Sequence, residues 1–163
     1  MIIPTKQECI RILKENKVPD NIIAHLKAVC DFSMKVVDML EKRNIKVNRE
    51  LVAAAALLHD IRKLSKGEHE IEGAELVSSM GYPEVGSVIK KHGLAHLFEK
   101  EFKPVAWEEK IVFYADKRVK DDKIASVDER FEYIKQRYKR EMVDRELNFT
   151  KKVEKELLGN EKI

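Results

Sequence analysis

A chain of 163 residues has room for one compact domain with its own hydrophobic core, and a second full domain would be cramped. Its 32 basic and 29 acidic residues leave a net charge of only +3, which argues against binding nucleic acid through bulk charge. Glycine and proline are sparse, so the composition favours helices over many tight turns. No long apolar run and no signal sequence is visible, so we expect a soluble cytoplasmic protein without a membrane partner.

The first part of the chain predicts three helices. The first begins at Thr5, because Thr5 and Glu8 have the spacing of a capping box. The second covers about residues 20–43, where apolar residues recur at steps of three and four. The third follows a cap at Asn48 and covers about residues 51–61. It is apolar nearly all round, which is typical of the buried central helix of a bundle.

Three shorter helices are predicted in the middle of the chain, over residues 70–80, 83–91 and 107–116. The polar stretch 117–125 is predicted to be a loop, and no strand-type alternation competes with helix anywhere.

A charged helix is predicted from a second capping box at Ser126 to about residue 147, followed by a short last helix over 151–158. Its narrow apolar stripe could form a homodimer interface, or it could pack on the bundle; the stripe consists of Phe131, Ile134, Tyr138 and Met142. We therefore predict an all-α fold, a single-domain bundle of about six to eight helices over residues 1–163. Its core lies at about 20–120 and its charged C-terminal helices at about 126–158.

Two polar residues, His59 and Asp60, stand at the end of the most apolar predicted helix. Burying them costs free energy unless they are paired or bound to a metal. A simpler interpretation of Asp60 is a helix-end carboxylate paired with Arg62 or Lys63.

Six residues could together bind metal, and each lies in or next to a predicted helix; they are His25, His59, Asp60, His69, His92 and Asp116. A bundle can bring such side chains together in its core. Imidazole and carboxylate ligands suit divalent ions, and Fe, Mn, Co, Zn, Ni and Mg cannot be distinguished. Cys9 and Cys30 lie in separate predicted helices and are interpreted as buried reduced thiols.

The order His25, His59-Asp60, Asp116 resembles the HD superfamily of metal-dependent phosphohydrolases. The resemblance extends to Ala-Ala-Leu-Leu before His59, to Tyr-Ala before Asp116, and to Lys63, which stands three residues after the Asp as in the family signature. It implies the HD-domain fold and hydrolysis of a phosphorylated small molecule, most simply a nucleotide. It also implies that these four residues hold a metal and that Asp60 and Lys63 are catalytic.

A narrower resemblance concerns His69 and His92, which stand where some HD proteins hold a second metal. In this respect the chain is similar to bacterial enzymes that split diadenosine tetraphosphate symmetrically. The implied mechanism is attack on phosphorus by water activated between two metals that Asp60 bridges. Lys63, Arg62 and Arg118 are then the candidates for binding the substrate phosphate.

Several alternatives stay open from the sequence. His69 could be an exposed residue near a helix start. His96 would share a helical face with His92, a two-ligand spacing, but Gly93 weakens a helix there, so His96 is interpreted as a loop residue near the mouth of the site. The whole domain could instead be a nucleotide-sensing or interaction module with a metal-loaded but weakly active site. An RNA-directed phosphodiesterase is the weakest alternative, because the net charge is near neutral.

Overall fold

Eight helices and one small hairpin make up the part of the chain that the structure, a computed structural model, describes, which is residues 1–137 and 141–163. In chain order these elements are α1 (Lys6–Glu15), α2 (Asp20–Lys42), α3 (Arg49–Leu58), α4 (His69–Ser79), α5 (Pro83–Ile89), α6 (Trp107–Asp116), β1 (Val119–Lys120), β2 (Lys123–Ile124), α7 (Val127–Arg137) and α8 (Val143–Leu158). The predicted all-α bundle is confirmed. Within these residues, none of the helices is long and apolar enough to cross a membrane.

The helix starts follow local side-chain chemistry. Thr5 and Glu8 cap α1 reciprocally, with hydrogen bonds of 2.6 and 3.1 Å. The Asn48 side chain accepts the amide of the third residue of α3 at 3.0 Å, and Ser126 and Glu129 cap α7 as Thr5 and Glu8 cap α1. Each cap satisfies an amide that the helix itself leaves unpaired, so these three predicted starts are confirmed.

Helix α3 is the centre of the bundle. All eight residues from Leu51 to Leu58 are buried, and the helix packs against α1, α2, α5 and α6. Its run of four alanines, residues 53–56, lets these neighbours approach closely. The most apolar segment of the sequence therefore places its C-terminal end, and whatever follows it, in the interior of the domain.

The C-terminal region differs from its prediction. One helix over 126–147 was expected, but α7 ends at Arg137 and a new helix, α8, begins at Val143. The reason lies in α8 itself, because Val143, Thr150, Val153 and Leu157 are buried at helical spacing. Helix α8 packs on α2 and α6, so it belongs to the same core.

The apolar stripe of the predicted C-terminal helix serves packing where the structure describes it. Phe131 and Ile134 are buried, whereas Met142 is 38% exposed. Tyr138, also assigned to the stripe, lies outside the described residues. A homodimer through this stripe stays a prediction that the buried side chains do not require.

The stretch 117–125 also differs from its prediction, because it contains the hairpin of β1 and β2. Val119 pairs with Ile124 and Lys120 with Lys123 in antiparallel register. Asp121, at the turn, has a φ of 55°, a left-handed conformation that Asp tolerates better than most residues. With only two residues per strand, the hairpin is too short for alternation to show in the sequence.

Candidate metal centre

The six candidate ligands come from five places in the fold and meet at the end of the buried helix α3. Their positions are His25 in α2, His59 and Asp60 in the turn after α3, His69 at the start of α4, His92 in the turn after α5 and Asp116 at the end of α6. Helix α3 stops at Leu58, earlier than the predicted residue 61, so His59 and Asp60 lie on a turn. Their side chains form two groups that could each hold a metal ion.

The first group consists of His25, His59, Asp60 and Asp116, whose ligand atoms all lie within 4.8 Å of one another. The Nε2 atoms of His25 and His59 lie 3.1 and 3.3 Å from Oδ1 of Asp116. The same two nitrogen atoms lie 3.8 and 3.5 Å from Oδ2 of Asp60. Two imidazole nitrogens and two carboxylate oxygens therefore converge on one small volume.

The second group consists of Asp60, His69 and His92. The Nε2 atoms of His69 and His92 lie 3.3 and 3.4 Å from Oδ1 of Asp60. Asp60 thus faces the first group with Oδ2 and the second with Oδ1. The structure brings together all six residues that the sequence singled out, and the role of each as a metal ligand stays a prediction.

Backbone carbonyl groups fix the orientation of three of the four imidazole rings. Nδ1 lies 2.6 Å from Asp121 O in His25, 2.8 Å from Ala56 O in His59 and 2.6 Å from Ile89 O in His92. Because a carbonyl oxygen can only accept, Nδ1 carries the proton in each case. With Nδ1 held in this way, Nε2 of each ring faces the carboxylates, which is the orientation that metal-binding histidines adopt.

The centre of the cluster is buried. His59, Asp60 and His92 are 0%, 3% and 2% exposed. Among the described residues, no donor makes a hydrogen bond of good geometry to the buried Oδ1 of Asp60. A buried carboxylate oxygen without such a donor is costly, and a cation held between it and the histidines would satisfy it. The donor set therefore fits divalent metal ions.

The two carboxylates are held in the ionised form that metal binding needs. Burial would raise the pKa of Asp60, but the charge of His59 and the close side chains of His69 and His92 hold that pKa well below its usual value. Burial likewise opposes ionisation of Asp116, but Lys117, His25 and His59 hold its pKa well below the usual value. Burial lowers the pKa of His92, which favours the neutral ring that a metal requires.

Sequence reasoning missed Lys117, which contacts one residue of each ligand group. Its side chain is buried, and Nζ donates to Oδ2 of Asp116 at 2.8 Å and to the carbonyl oxygen of His92 at 2.9 Å. Asp116 therefore meets histidines with one oxygen and an ammonium group with the other. The only signal in the sequence was that Lys117 directly follows a candidate ligand, and it was assigned to a polar loop.

Glu70 and Gly93 support the second group. Oε2 of Glu70 lies 3.5 Å from Nδ1 of His69, so a side chain, rather than a carbonyl group, faces that ring. A Cβ atom at position 93 would lie only 2.2 Å from Oε1 of Glu70. The sequence marked Gly93 as a helix-weakening residue, and the structure shows that its missing side chain leaves the space that Glu70 occupies.

The three predicted phosphate contacts occupy different surroundings. Nζ of Lys63 lies 3.8 Å from Oδ2 of Asp60, and its side chain is 49% exposed. Arg62 is exposed beside it, on the rim of a groove that reaches Asp60. Both side chains can meet a ligand that enters from solvent.

Arg118 instead has a structural role. Nε donates to Ala125 O at 2.7 Å, one terminal nitrogen to the Tyr114 hydroxyl at 2.6 Å and the other to Ile163 O at 2.6 Å. The guanidinium group also lies over the Phe32 ring. With all three nitrogens engaged in the interior, these contacts argue against the predicted contact between Arg118 and phosphate.

His96 does not join either candidate group. Its Nε2 contacts Glu68, and its Nδ1 lies 3.2 Å from Oε1 of Glu99. The possible two-ligand spacing with His92 is therefore not used, because the chain leaves the helix after Ile89 and turns.

Comparison with known proteins gives a family and a few relatives. The HD domain family model matches residues 22–121, which contain all six candidate ligands. An uncharacterized protein of Methanocaldococcus jannaschii is 30% identical over 136 residues, which cover 76% of this chain and 80% of that protein. No solved structure shows a significant match.

Two further relatives carry the name tRNA (cytidine(56)-2'-O)-methyltransferase. The protein of Picrophilus torridus is 33% identical over 138 residues, which cover 77% of this chain and 39% of the relative. The protein of Thermoplasma volcanium is 33% identical over 135 residues, which cover 75% of this chain and 38% of the relative. The chain thus spans about two fifths of the length of these methyltransferases.

Proposed function

The chain belongs to the HD domain family, whose superfamily is one of metal-dependent phosphohydrolases, and from this premise we propose that it cleaves a phosphoester or phosphoanhydride bond of a nucleotide or dinucleotide with metal-activated water. One observation carries the proposal. The buried Asp60 turns one oxygen toward each of two groups of candidate ligands.

The residues that would hold metal follow from these two groups. His25, His59, Asp116 and Oδ2 of Asp60 would hold one divalent ion, and His69, His92 and Oδ1 of Asp60 a second. Such ions, when bound, lower the pKa of coordinated water and neutralise phosphoryl oxygens. Nitrogen and oxygen donors of this kind accept several first-row metals and do not select one.

Other side chains of the protein would bind the substrate and orient the candidate ligands. Lys63, beside Asp60 and partly exposed, is placed to hold a phosphoryl oxygen of the bound substrate. Lys117 keeps the Asp116 carboxylate in its orientation. The buried surroundings of His59 and His92 strengthen the charge interactions among the candidate ligands.

The test is metal content by elemental analysis, together with hydrolysis of a panel of nucleotides. About two ions per chain in the wild type, falling to about one in His92→Ala, would support the six-ligand site. His96→Ala is the matched control, because His96 lies outside both groups, and it should retain both ions. Absence of metal under every loading condition would sink the proposal. Tight nucleotide binding without turnover would favour the sensing module instead.

Dinucleoside polyphosphates are the first substrates to test. The reason is the resemblance of the six-residue set to that of the symmetrical diadenosine tetraphosphate hydrolases. If the wild type holds one ion and His92→Ala holds the same, the four-residue set acts alone, and nucleoside monophosphates become the better candidates.

A second candidate substrate is a phosphate group carried by tRNA. What favours it is that two relatives of this chain are named as tRNA methyltransferases. The net charge of +3 argues against it. Phosphate release from the ends of tRNA, compared with release from mononucleotides at two salt concentrations, distinguishes the candidates. RNA as the substrate requires faster release from tRNA and a marked loss of affinity at high salt.

A further inference from the structure

A groove of about 300 Å³ opens beside Asp60. One wall is the turn between α1 and α2, residues 16–19, together with Ile22, and the other is the turn after α3, residues 60–65. The groove is therefore lined both by one candidate metal ligand, Asp60, and by Lys17. Its volume lies at the lower end of the range for small-molecule sites.

Most of the charged residues that line this groove are cationic. Lys17, Arg62 and Lys63 line it, and Asp60 is the one carboxylate among the described residues that do so. In the described part of the chain, the side chains of Lys17 and Arg62 form no hydrogen bond or ion pair. Both side chains are exposed and are therefore available to an anion that enters the groove beside Lys63.

The position of Lys17 is fixed by the way α1 ends. Its amide donates to Lys14 O and the amide of Val18 to Leu13 O, both at 3.0 Å. Lys17 itself has a φ of 58°, in the left-handed region that favours glycine or asparagine at a helix end. This turn therefore holds Lys17 beside the groove that it lines.

We propose that this groove binds a second phosphoryl group of the substrate, with Lys17 as the residue that selects for it. The inference rests on the proposed function, because it places the phosphoryl group to be cleaved at Asp60 and its neighbour on Lys17 and Arg62. The substrate class is then a phosphoanhydride with at least two phosphoryl groups, such as a nucleoside diphosphate or a dinucleoside polyphosphate. A nucleoside monophosphate would leave the Lys17 end of the groove unused.

The experiment compares two probes and two variants by calorimetric titration in excess Mn²⁺. The probes are the α,β-methylene analogue of adenosine diphosphate and adenosine monophosphate. The variants are Lys17→Asn and, as matched control, Lys46→Asn, which removes the same charge from a residue outside the groove. Asparagine suits the backbone at position 17, since Asn44 already has a φ of 59°. Thermal melting verifies that each variant is folded.

We expect the wild type to bind the methylene analogue at least about tenfold more tightly than the monophosphate. Lys17→Asn should lose about tenfold in affinity for the analogue and less than about twofold for the monophosphate, while Lys46→Asn should resemble the wild type. Equal losses for both probes, no loss for either, or no binding of the analogue by the wild type would each overturn the inference. If binding follows the expectation but no nucleotide is hydrolysed, the proposed function fails while the groove assignment stands.

Discussion

The two halves of the candidate metal centre are held in different ways. In the first half, His25 and His59 are hydrogen-bonded to backbone carbonyl groups, and Asp116 accepts a hydrogen bond from the buried Lys117. In the second half, His92 is hydrogen-bonded to the carbonyl group of Ile89, but the His69 side chain is 25% exposed and faces the Glu70 side chain. Ligands that are more firmly oriented lose less entropy on binding, so we expect the first half to bind its ion more tightly.

Asp60 is shared by both halves, and changing it should have the largest effect. Asp60→Ala removes an oxygen from each group, so we expect both ions to be lost and hydrolysis to fall by roughly 10³-fold or more. Elemental analysis and hydrolysis assays measure the two effects. A variant that keeps one ion at full occupancy would show that the halves are independent and that Asp60 does not bridge them.

Metal removal should separate the two halves without any mutation. Titration with a chelator should release about one ion per chain before the other, with the His69 half emptied first. If the free metal concentration is about 100 to 1,000 times the dissociation constant of each site, both sites are saturated. Complete removal of metal should then lower the free energy of unfolding by about 3–4 kcal/mol per ion. Denaturant unfolding monitored by circular dichroism measures this loss. Release of both ions in one step would contradict the difference inferred above.

Lys117→Met tests whether the hydrogen bond from Lys117 to the Asp116 carboxylate controls metal affinity. We expect the first ion to bind about 10- to 100-fold more weakly, because the Asp116 carboxylate loses its buried donor. Lys110→Met, in α6, is the matched control, since Lys110 pairs with Glu156 and lies outside both ligand groups. Competition against a coloured chelator measures the affinities. Equal affinities in the two variants would reduce Lys117 to a packing residue.

Gly93→Ala acts on the second half, through Glu70 rather than through a candidate ligand. The new Cβ would meet Glu70 at 2.2 Å, so either the chain or the carboxylate must move. We expect a loss of about 1–3 kcal/mol in the free energy of unfolding. Combining the change with Glu70→Ala should recover most of that loss. A double variant as unstable as the sum of the two single variants would show that the contact with Glu70 is not the cause.

Features with a local cause were predictable from the sequence. The caps at Thr5, Asn48 and Ser126 depend on side chains within three residues, so the helix starts were predicted correctly. The start of a separate helix at Val143 was missed, because the charged residues around it favour one continuous helix. Helix α8 packs on α2 and α6, and such long-range contacts are not encoded in a local pattern.

The site shows the same division. The six candidate ligands could be found because their types and order carry a chemical pattern. Lys117 and Arg118, adjacent in the sequence, have opposite surroundings: Lys117 supports Asp116, and Arg118 binds Tyr114 and the chain end. Which of two neighbouring cations turns toward the site is decided by how α6 ends, and no local pattern encodes that ending.

The hairpin between β1 and β2 has a consequence for anyone who modifies this protein. Its exposed turn, residues 120–123, looks like a natural place to insert a tag, an epitope or a second domain. Yet the carbonyl oxygen of Asp121 in that turn holds the ring of His25. An insertion there would displace the acceptor that orients the His25 ring from its Nδ1 side. A peptide inserted at this turn as a label would therefore disturb the candidate metal centre.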